Sequence, residues 1–140
     1  MIPALNNVYD DETVESDFTV ETEPSKTYKL NTDDSVIVGK IDETDALKQA
    51  IMKILTTERY ENLIYSWNYG IELQDLYGQP SDYVMAELEH RISDALTADD
   101  RIESVTDYTA EQTDKESIHC AFTVNTVSGE RLNIEQEVTI

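Results

Sequence analysis

Residues 95–110 read ALTADDRIESVTDYTA, and within this stretch the spacing of the apolar residues changes from that of a helix to that of a strand. Before it, apolar residues recur every four positions, which predicts an amphipathic helix that starts near Ser81, an N-cap candidate. The helical stripe consists of Val84, Leu88, Ile92 and Leu96, widened by Met85 and Ala95. From Arg101 onward the period is two, which predicts strands. This change of period predicts helices followed by a sheet.

Residues 101–140 divide into three predicted strands. RIESVTDYTAEQ forms the first, ESIHCAFTVNTV the second and ERLNIEQEVTI the third, with a turn at Ser128 and Gly129. Alternation gives the second and third strands one apolar face each. These faces contain Ile118, Cys120, Phe122 and Val124, followed by Leu132, Ile134, Val138 and Ile140. The simplest arrangement is an antiparallel meander whose last strand lies at an edge, where its backbone groups are available to another protein.

Two further elements are predicted upstream of residue 60. Short β-prone runs at 27–30 and 36–38 flank the turn-rich NTDDS and predict a hairpin. DETDALKQAIMKILTTERY then predicts a helix with Asp42 or Thr44 as its N-cap. Its apolar face contains Leu47, Ala50, Ile51, Ile54 and Leu55. The fold class expected is α+β: a small, mixed or mainly antiparallel sheet with two main helices packed on one face.

The first 25 residues differ in composition from the rest. Acidic residues occur throughout them, and the first basic residue of the chain is Lys26. Such a segment buries too little apolar surface to offset its ordering entropy. We therefore expect an extended acidic arm at 1–25 and a single α+β domain at 26–140.

The net charge of −20 limits the classes of partner. Nucleic acids and anionic membranes bind clustered Lys and Arg, and the chain has only ten such residues, so neither is an expected partner. A basic protein surface or a place in a large assembly would relieve the self-repulsion. One Cys excludes an internal disulfide, and no signal-peptide or membrane-spanning pattern is present. We expect the chain to be made and used in the cytoplasm unless a complex carries it elsewhere.

No catalytic, cofactor-binding or metal-binding group is predicted. His119 and Cys120 are neighbours in a strand, so their side chains point to opposite faces, and His90 is isolated in sequence. The chain has no GxSxG elbow and no Gly-rich phosphate loop. Because it contains thirty Asp and Glu residues, carboxylate pairs arise by chance and indicate no acid–base chemistry. We expect a protein that is not an enzyme.

The stretch YSWNYGIELQDLYG, residues 65–78, concentrates aromatic and glycine residues between the two predicted helices. We expect an apolar elbow with Gly70 and Gly78 at positive-φ positions. Its lining would consist of Ile71, Leu73 and Leu76 with Tyr65, Trp67 and Tyr69. Replacing Trp67 is then expected to damage folding before it damages any specific contact. The alternative is an aromatic docking surface, because Tyr and Trp anchor many interfaces.

Several motifs occur in an order typical of a known family. They are PSKTYKL, AIMKILTTERYENLIYSWNYGIELQDLYGQ, ALTADDRIESVTDYTA and FTVNTVSGE. In this order they resemble the baseplate wedge proteins that initiate the sheath in contractile phage tails. The likeness is greatest to the branch found in PBSX-type prophages and related contractile bacteriocins of Gram-positive bacteria, and it covers nearly the whole chain.

The resemblance implies roles for particular residues. In the family, an Arg-containing loop precedes a Gly segment and a short aliphatic run. Arg59 and the segment NYGIELQDL, which contains Gly70, stand in these places here. The resemblance therefore makes Arg59 part of the elbow. A Glu-Pro-Arg signature follows the second helix in the family. Asp99, Asp100 and Arg101 stand there in this chain, without the Pro. The resemblance implies that this corner binds the baseplate wedge, and Arg101→Glu is expected to weaken incorporation while leaving the domain folded.

The resemblance also implies a mechanism with named partners. Six copies in a ring around the tube would exchange strands with the first sheath ring, and the sheath-binding strand would carry Leu132, Ile134, Val138 and Ile140. The implied partners are the tail sheath protein, the baseplate wedge proteins, tail tube or hub proteins and neighbouring copies, with no cofactor. The implied location is the bacterial host cytoplasm during assembly, then the baseplate of a virion or bacteriocin tail. Deleting residues 132–140 is expected to leave baseplates that assemble but nucleate no sheath.

Two other functions stay open at this point. A tail-associated, lysozyme-like hydrolase is one, because some members of the broad family have been labelled lysozyme-like. It would need a carboxylic acid of raised pKa opposite a second carboxylate. An acidic regulatory adaptor on a related fold is the other.

Overall fold

The computed structural model describes residues 25–140, so the acidic arm expected at 1–25 lies outside the described residues apart from Ser25. The described chain is α+β, as predicted. Its elements are β1 (Thr27–Asn31), β2 (Val36–Ile41), α1 (Glu43–Thr56), a 3₁₀ turn (Gln74–Leu76), α2 (Ser81–Thr97), β3 (Ile102–Asp114), β4 (Ser117–Thr126) and β5 (Arg131–Thr139).

The two helices begin at different kinds of cap. Asp42 caps α1, as its side-chain Oδ1 accepts a hydrogen bond from the backbone N–H of Glu43 at 2.8 Å. The prediction that Ser81 caps α2 is wrong by one residue. Pro80 occupies the cap position with φ −57° and ψ 137°, and its carbonyl accepts from the N–H of Val84 at 3.0 Å. Ser81 is therefore the first helical residue.

The sheets are antiparallel throughout and number two among the described residues. The strands β3, β4 and β5 form the predicted meander in that order, while β1 and β2 form a separate hairpin. The ladder between β4 and β5 keeps one register from Ser117↔Thr139 to Asn125↔Arg131. The ladder between β3 and β4 shifts register at three places. The two edges of the three-stranded sheet, β3 and β5, therefore differ in regularity.

The hydrophobic core lies between the helices and one face of the three-stranded sheet. Every apolar position predicted to face inward from α2 and β4 is buried or packs against this core, and the same holds for β5. The fully buried members include Ile51, Leu76, Leu88, Ile92, Leu96, Ile118 and Val124. Burial of this continuous apolar surface is the main favourable contribution to folding. The two-helix, one-face packing is confirmed.

The β1–β2 hairpin contributes no residue to that core. Tyr28, Val36, Ile37 and Val38 are exposed. A single buried amide connects the hairpin to α1: Gln49 accepts a hydrogen bond from the N–H of Leu30 at 2.9 Å and donates one to the carbonyl of Tyr28 at 2.8 Å. Gln49 therefore takes the place that a neighbouring strand would occupy beside β1.

Candidate functional site

The connection between α1 and α2 is closed at its base by backbone hydrogen bonds. The N–H of Ile71 donates to the carbonyl of Thr57 at 2.9 Å, and the N–H of Arg59 donates to the carbonyl of Ile71 at 3.0 Å. These bonds hold residues 57 and 71 side by side. The residues between them form a loop with fixed ends, whose segment 60–67 we call the aromatic loop.

Arg59 ties the loop base to α2. Its Nε donates to the carbonyl of Gly70 at 3.1 Å, and its Nη1 donates to Asp94 at 2.9 Å and lies 3.5 Å from Glu72. The Arg59 side chain is only 11% exposed, and its charge is balanced by carboxylates of the same chain. Gly70 has φ +97°, and a Cβ on it would lie 2.6 Å from the carbonyl oxygen of Thr57. Only glycine fits this crossing of the chain.

Trp67 does not line the elbow. It is 76% exposed, and Leu63 and Ile64 beside it are 101% and 87% exposed. The expectation that Trp67 packs inside was wrong, which removes the packing reason for expecting its loss to damage folding first. The interior of the elbow is built by Ile71 and Leu76, with Tyr69 and Leu73 packed against the core, as expected for these four residues. Tyr69 stacks on Tyr65 with ring centroids 4.5 Å apart, which anchors one side of the loop.

A second arginine and a glutamate complete the base of the connection. Arg91 on α2 binds both carboxylate oxygens of Asp75, at 2.6 and 2.7 Å, and donates to the carbonyl of Glu72. Glu58 accepts from the N–H groups of Leu73 and Gln74, which are orphan donors at the start of the 3₁₀ turn. Sequence reasoning missed both. In the sequence, Arg91 is visible only as a charged residue on the polar face of a predicted helix, and nothing indicates that Asp75 is its partner.

An open cleft lies between this connection and α2. It is lined by Arg59, Glu72, Glu87, His90, Arg91 and Asp94. Within this lining, Arg59 pairs with Glu72 and Asp94, and Arg91 pairs with Glu87. Arg91 also binds Asp75, which lies outside the lining, and these hydrogen bonds hold the pKa of Asp75 below its ordinary value. Carboxylates paired with guanidinium groups are poor general acids.

The corner formed by Asp99, Asp100 and Arg101 is folded around one ion pair. Asp99 accepts from Nε and Nη2 of Arg101 at 2.9 and 2.7 Å and from the Arg101 backbone N–H at 3.0 Å. Burial alone would raise the pKa of Asp99, but these hydrogen bonds and the Arg101 charge outweigh it, so the pKa lies below its ordinary value. Asp100 is exposed. Of the three side chains, Asp100 presents its carboxylate most freely to solvent.

The strand β5 presents a regular outer edge. The N–H of Ile140 donates to Glu116 and the N–H of Thr126 donates to Glu130. Because hydrogen-bonded pairs alternate along an antiparallel ladder, even-numbered residues of β5 direct their backbone groups to β4 and odd-numbered residues direct theirs outward. Leu132 and Val138 are buried, and Ile134 and Ile140 pack partly buried against the core. These four residues therefore hold β5 in the domain while its outer edge stays without a strand among the described residues.

Two nucleophilic groups, Cys120 and Tyr108, lie wholly or partly inside the domain. Burial raises the pKa of the Cys120 thiol and of the Tyr108 hydroxyl. Tyr108 lies 3.5 Å from Cys120 and donates to the carbonyl of Met85 at 3.0 Å, which joins β3 to α2. Within residues 25–140, no group of three or more His, Cys, Asp or Glu is arranged to hold a metal ion. In the same part of the chain, no helix has both the length and the apolar character needed to cross a membrane.

Comparisons with known proteins point to one kind of assembly. A family model described as contractile injection system sheath initiator matches residues 24–129. The phage-like element PBSX protein XkdS of Bacillus subtilis (strain 168) is 37% identical over 134 residues, which cover 93% of this chain and 92% of that protein. A crystal structure of a protein described as a putative tail lysozyme from Geobacter sulfurreducens matches with a TM-score of 0.58 at 19% identity, over 69% of this chain and 89% of that one. At that identity the likeness concerns the fold alone.

Proposed function

The chain belongs to the contractile injection system sheath initiator family, and on that premise we propose that it joins a tail baseplate and starts the sheath by strand pairing with the first sheath ring. Membership makes it a structural component of a contractile tail. The proposed partners are the sheath protein, the wedge proteins, tube or hub proteins and neighbouring copies in a six-fold ring. It would be assembled in the host cytoplasm and would then act in the baseplate of a virion or bacteriocin tail.

The observation that carries the strand-pairing proposal is the regular outer edge of β5. Its residues 131, 133, 135, 137 and 139 direct N–H and C=O groups away from the sheet, and an added strand could bond to them in register. The other edge is less suitable. Three register shifts interrupt β3, and Asp107 within it has φ +55°. These bulges make the β3 edge unsuitable for pairing with another strand.

The packing of β5 indicates that it accepts a strand rather than leaving its own sheet. Donating β5 would expose Leu132 and Val138, which are 6% and 7% exposed. Adding a strand to its outer edge exposes nothing. For the same reason, deleting residues 132–140 would remove part of the core, so it does not separate loss of sheath pairing from loss of fold.

A proline in the β5 edge tests the proposal more sharply. Glu135 is exposed and directs its N–H outward, so Glu135→Pro removes one donor from the outer edge and none from the ladder to β4. We expect a folded protein that enters baseplates but nucleates at least about tenfold fewer sheaths, counted by electron microscopy. Glu135→Thr, which keeps the N–H, is the control and should behave as wild type. Normal sheath on Glu135→Pro baseplates would remove β5 from the mechanism.

The Asp99–Arg101 corner is the proposed wedge-binding site, with Asp100 as its exposed carboxylate. The Arg101→Glu test needs revision, because it would place a second carboxylate beside the largely buried Asp99 and damage the turn itself. Asp100→Lys reverses an exposed charge without touching the ion pair. We propose that it lowers incorporation into the wedge, whereas Asp82→Lys, an exposed change at the other end of α2, does not.

A muralytic function is the second candidate, raised by the description of the structural relative. It would require a carboxylic acid whose pKa is raised, opposite another carboxylate. Within residues 25–140, the carboxyl groups with a shifted pKa are Asp75 and Asp99. Hydrogen bonds from Arg91 lower the pKa of Asp75, and burial would raise that of Asp99 but is outweighed by Arg101. A cell-wall clearing assay on the purified chain decides between the two functions: clearing would overturn the structural proposal, and we expect none.

A further inference from the structure

We propose that the aromatic loop, residues 60–67, is a docking element that inserts into an apolar recess bordered by Lys and Arg side chains on a different tail protein. The inference rests on the proposed function, because it places the chain in an assembled tail. It concerns a surface distinct from the β5 edge, and it names the chemistry of the partner that this surface fits.

The first observation is the concentration of apolar surface at the tip of the loop. Leu63, Ile64 and Trp67 are each exposed over three quarters or more of their surface, and Tyr60 is 64% exposed. Single exposed apolar residues are ordinary, but four within eight residues concentrate exposed apolar surface in one loop, and such concentrations mark interaction sites. Trp and Tyr are also the residues that most often dominate interface energies.

The second observation is that the loop is held in shape. Its ends are joined by the backbone bonds between Thr57 and Ile71, and the guanidinium of Arg59 fixes the carbonyl of Gly70. Inside the loop, the N–H of Tyr65 donates to Asn62 and the rings of Tyr65 and Tyr69 stack. The apolar tip is therefore presented by a preorganised base and loses little conformational freedom when it is covered.

The charge around the loop decides what can cover it. From residue 57 to 101 the chain has no lysine, and its three arginines, Arg59, Arg91 and Arg101, are all in ion pairs with carboxylates of the same chain. Glu61 in the loop and Glu72 and Asp94 beside its base are negative. Electrostatic complementarity therefore favours a recess with a positive rim.

The same charges disfavour the other occupants. A second copy of this chain would bring an equally acidic surface against the loop, and each chain has a net charge of −20. An anionic membrane surface repels carboxylates in the same way. A different protein with basic residues around an apolar recess is the remaining fit.

Photo-cross-linking in assembled tails tests the proposal. A photoreactive phenylalanine analogue replaces Leu63 in the full chain, and in a second preparation it replaces Val127, which is also exposed but lies at the β4–β5 turn. After irradiation of purified tails, we expect the Leu63 position to cross-link to one peptide of another tail protein that contains Lys or Arg beside apolar residues. The Val127 position should not yield that peptide. A cross-link to another copy of this chain, to residues 1–24, or to nothing in tails that contain the protein would overturn the proposal.

A substitution pair separates this inference from the proposed function. Leu63→Ser and Trp67→Ser should leave the Tm of the isolated chain unchanged and lower its incorporation into tails at least about tenfold. The difference in incorporation between wild type and variant should grow as NaCl is added, because salt weakens the remaining charge attraction. Tyr83→Ser on α2, an exposed aromatic residue outside the loop, is the control. Full incorporation of both loop variants with normal sheath would refute the docking loop and leave the sheath-initiator proposal standing. Absence of the wild-type chain from tails would refute both.

Discussion

At the scale of single residues, the fold depends on a few positions where the chain crosses itself or turns. Gly70 and Gly78 are both in the left-handed region, yet their surroundings differ. A Cβ at Gly70 would meet backbone atoms of Thr57 and Arg59, whereas a Cβ at Gly78 would meet nothing within 4 Å. The same residue type, eight positions away, therefore has two different reasons to be glycine.

The two glycines form a matched pair for a stability measurement. Gly78→Ala should cost only the backbone strain of a left-handed residue, roughly 1–2 kcal/mol. Gly70→Ala adds a clash with the Thr57 carbonyl, which overpacking values put at about 1–3 kcal/mol more. Urea unfolding of both variants measures the difference. Equal losses would show that the loop base yields to accommodate a Cβ.

Asp99 is a residue whose charge stabilises the native state. Because its pKa is lower in the folded than in the unfolded chain, its contribution is present above the unfolded pKa of about 4 and is lost as the pH falls through the folded pKa. Asp99→Asn should therefore reduce the free energy of unfolding at pH 7 by roughly 1–2 kcal/mol and by much less near pH 2. Asp75→Asn, which breaks an exposed arginine pair, is the control and should have a smaller effect at pH 7. A deficit that is independent of pH would contradict the role of the Asp99 charge.

At the scale of elements, periodicity predicted the two helices and the three-stranded sheet because each of these elements buries one face, whereas the β1–β2 hairpin was predicted from its turn residues. The stripe of α2 and the alternating face of β4 pack into the core, as their spacing of 3.6 and 2 residues indicated. The predicted stripe of α1 is also buried except for Ala50, which is half-buried and outside the core. The connection between the helices has no such period. Its inward residues, Ile71 and Leu76, and its outward residues, Leu63 and Trp67, are equally apolar, so sequence alone could not separate them.

The β1–β2 hairpin depends on Gln49 rather than on the core. Gln49→Ala removes both hydrogen bonds to β1, at an expected cost of roughly 1–2 kcal/mol. Hydrogen exchange should then quicken across residues 27–41 more than across β4. Lys48→Ala, an exposed change on the same turn of α1, should alter neither region. Equal protection of the hairpin in the Gln49 variant would mean that other contacts hold it.

At the scale of the whole molecule, the balance of charge is the dominant feature. The chain has 30 acidic and 10 basic residues, and every arginine is paired within the chain. Most carboxylates of residues 25–140 therefore face solvent without a partner of opposite sign. Their mutual repulsion opposes the compact state. The same excess charge makes basic partner surfaces favourable, which suits a component of a larger assembly.

Salt should therefore stabilise the isolated chain. Raising NaCl from low ionic strength to about 0.15 M shortens the screening length to about 8 Å, and we expect the Tm to rise by about 2–6 °C. The rise should level off at higher NaCl, because the repulsion is then screened. Calorimetry over a salt series measures it. A Tm that falls with NaCl would show that the surface ion pairs outweigh the repulsion.

The sequence alone determined the α+β class, the order of the elements, the inward faces of the helices and strands, and membership in the sheath initiator family. Hydrophobic periodicity and ordered motifs are local properties, so the chain displays them without any knowledge of tertiary contacts. Only the tertiary structure decided that Trp67 is outside, that Arg101 is occupied by Asp99, and that β5 rather than β3 has the regular edge. The exposure of Trp67 and the regular edge of β5 depend on which distant groups meet, as does the pairing of Arg59 with Asp94, and such pairings carry no period that a sequence reveals. The Asp99–Arg101 pair joins residues two positions apart and depends on the geometry of the turn that follows α2.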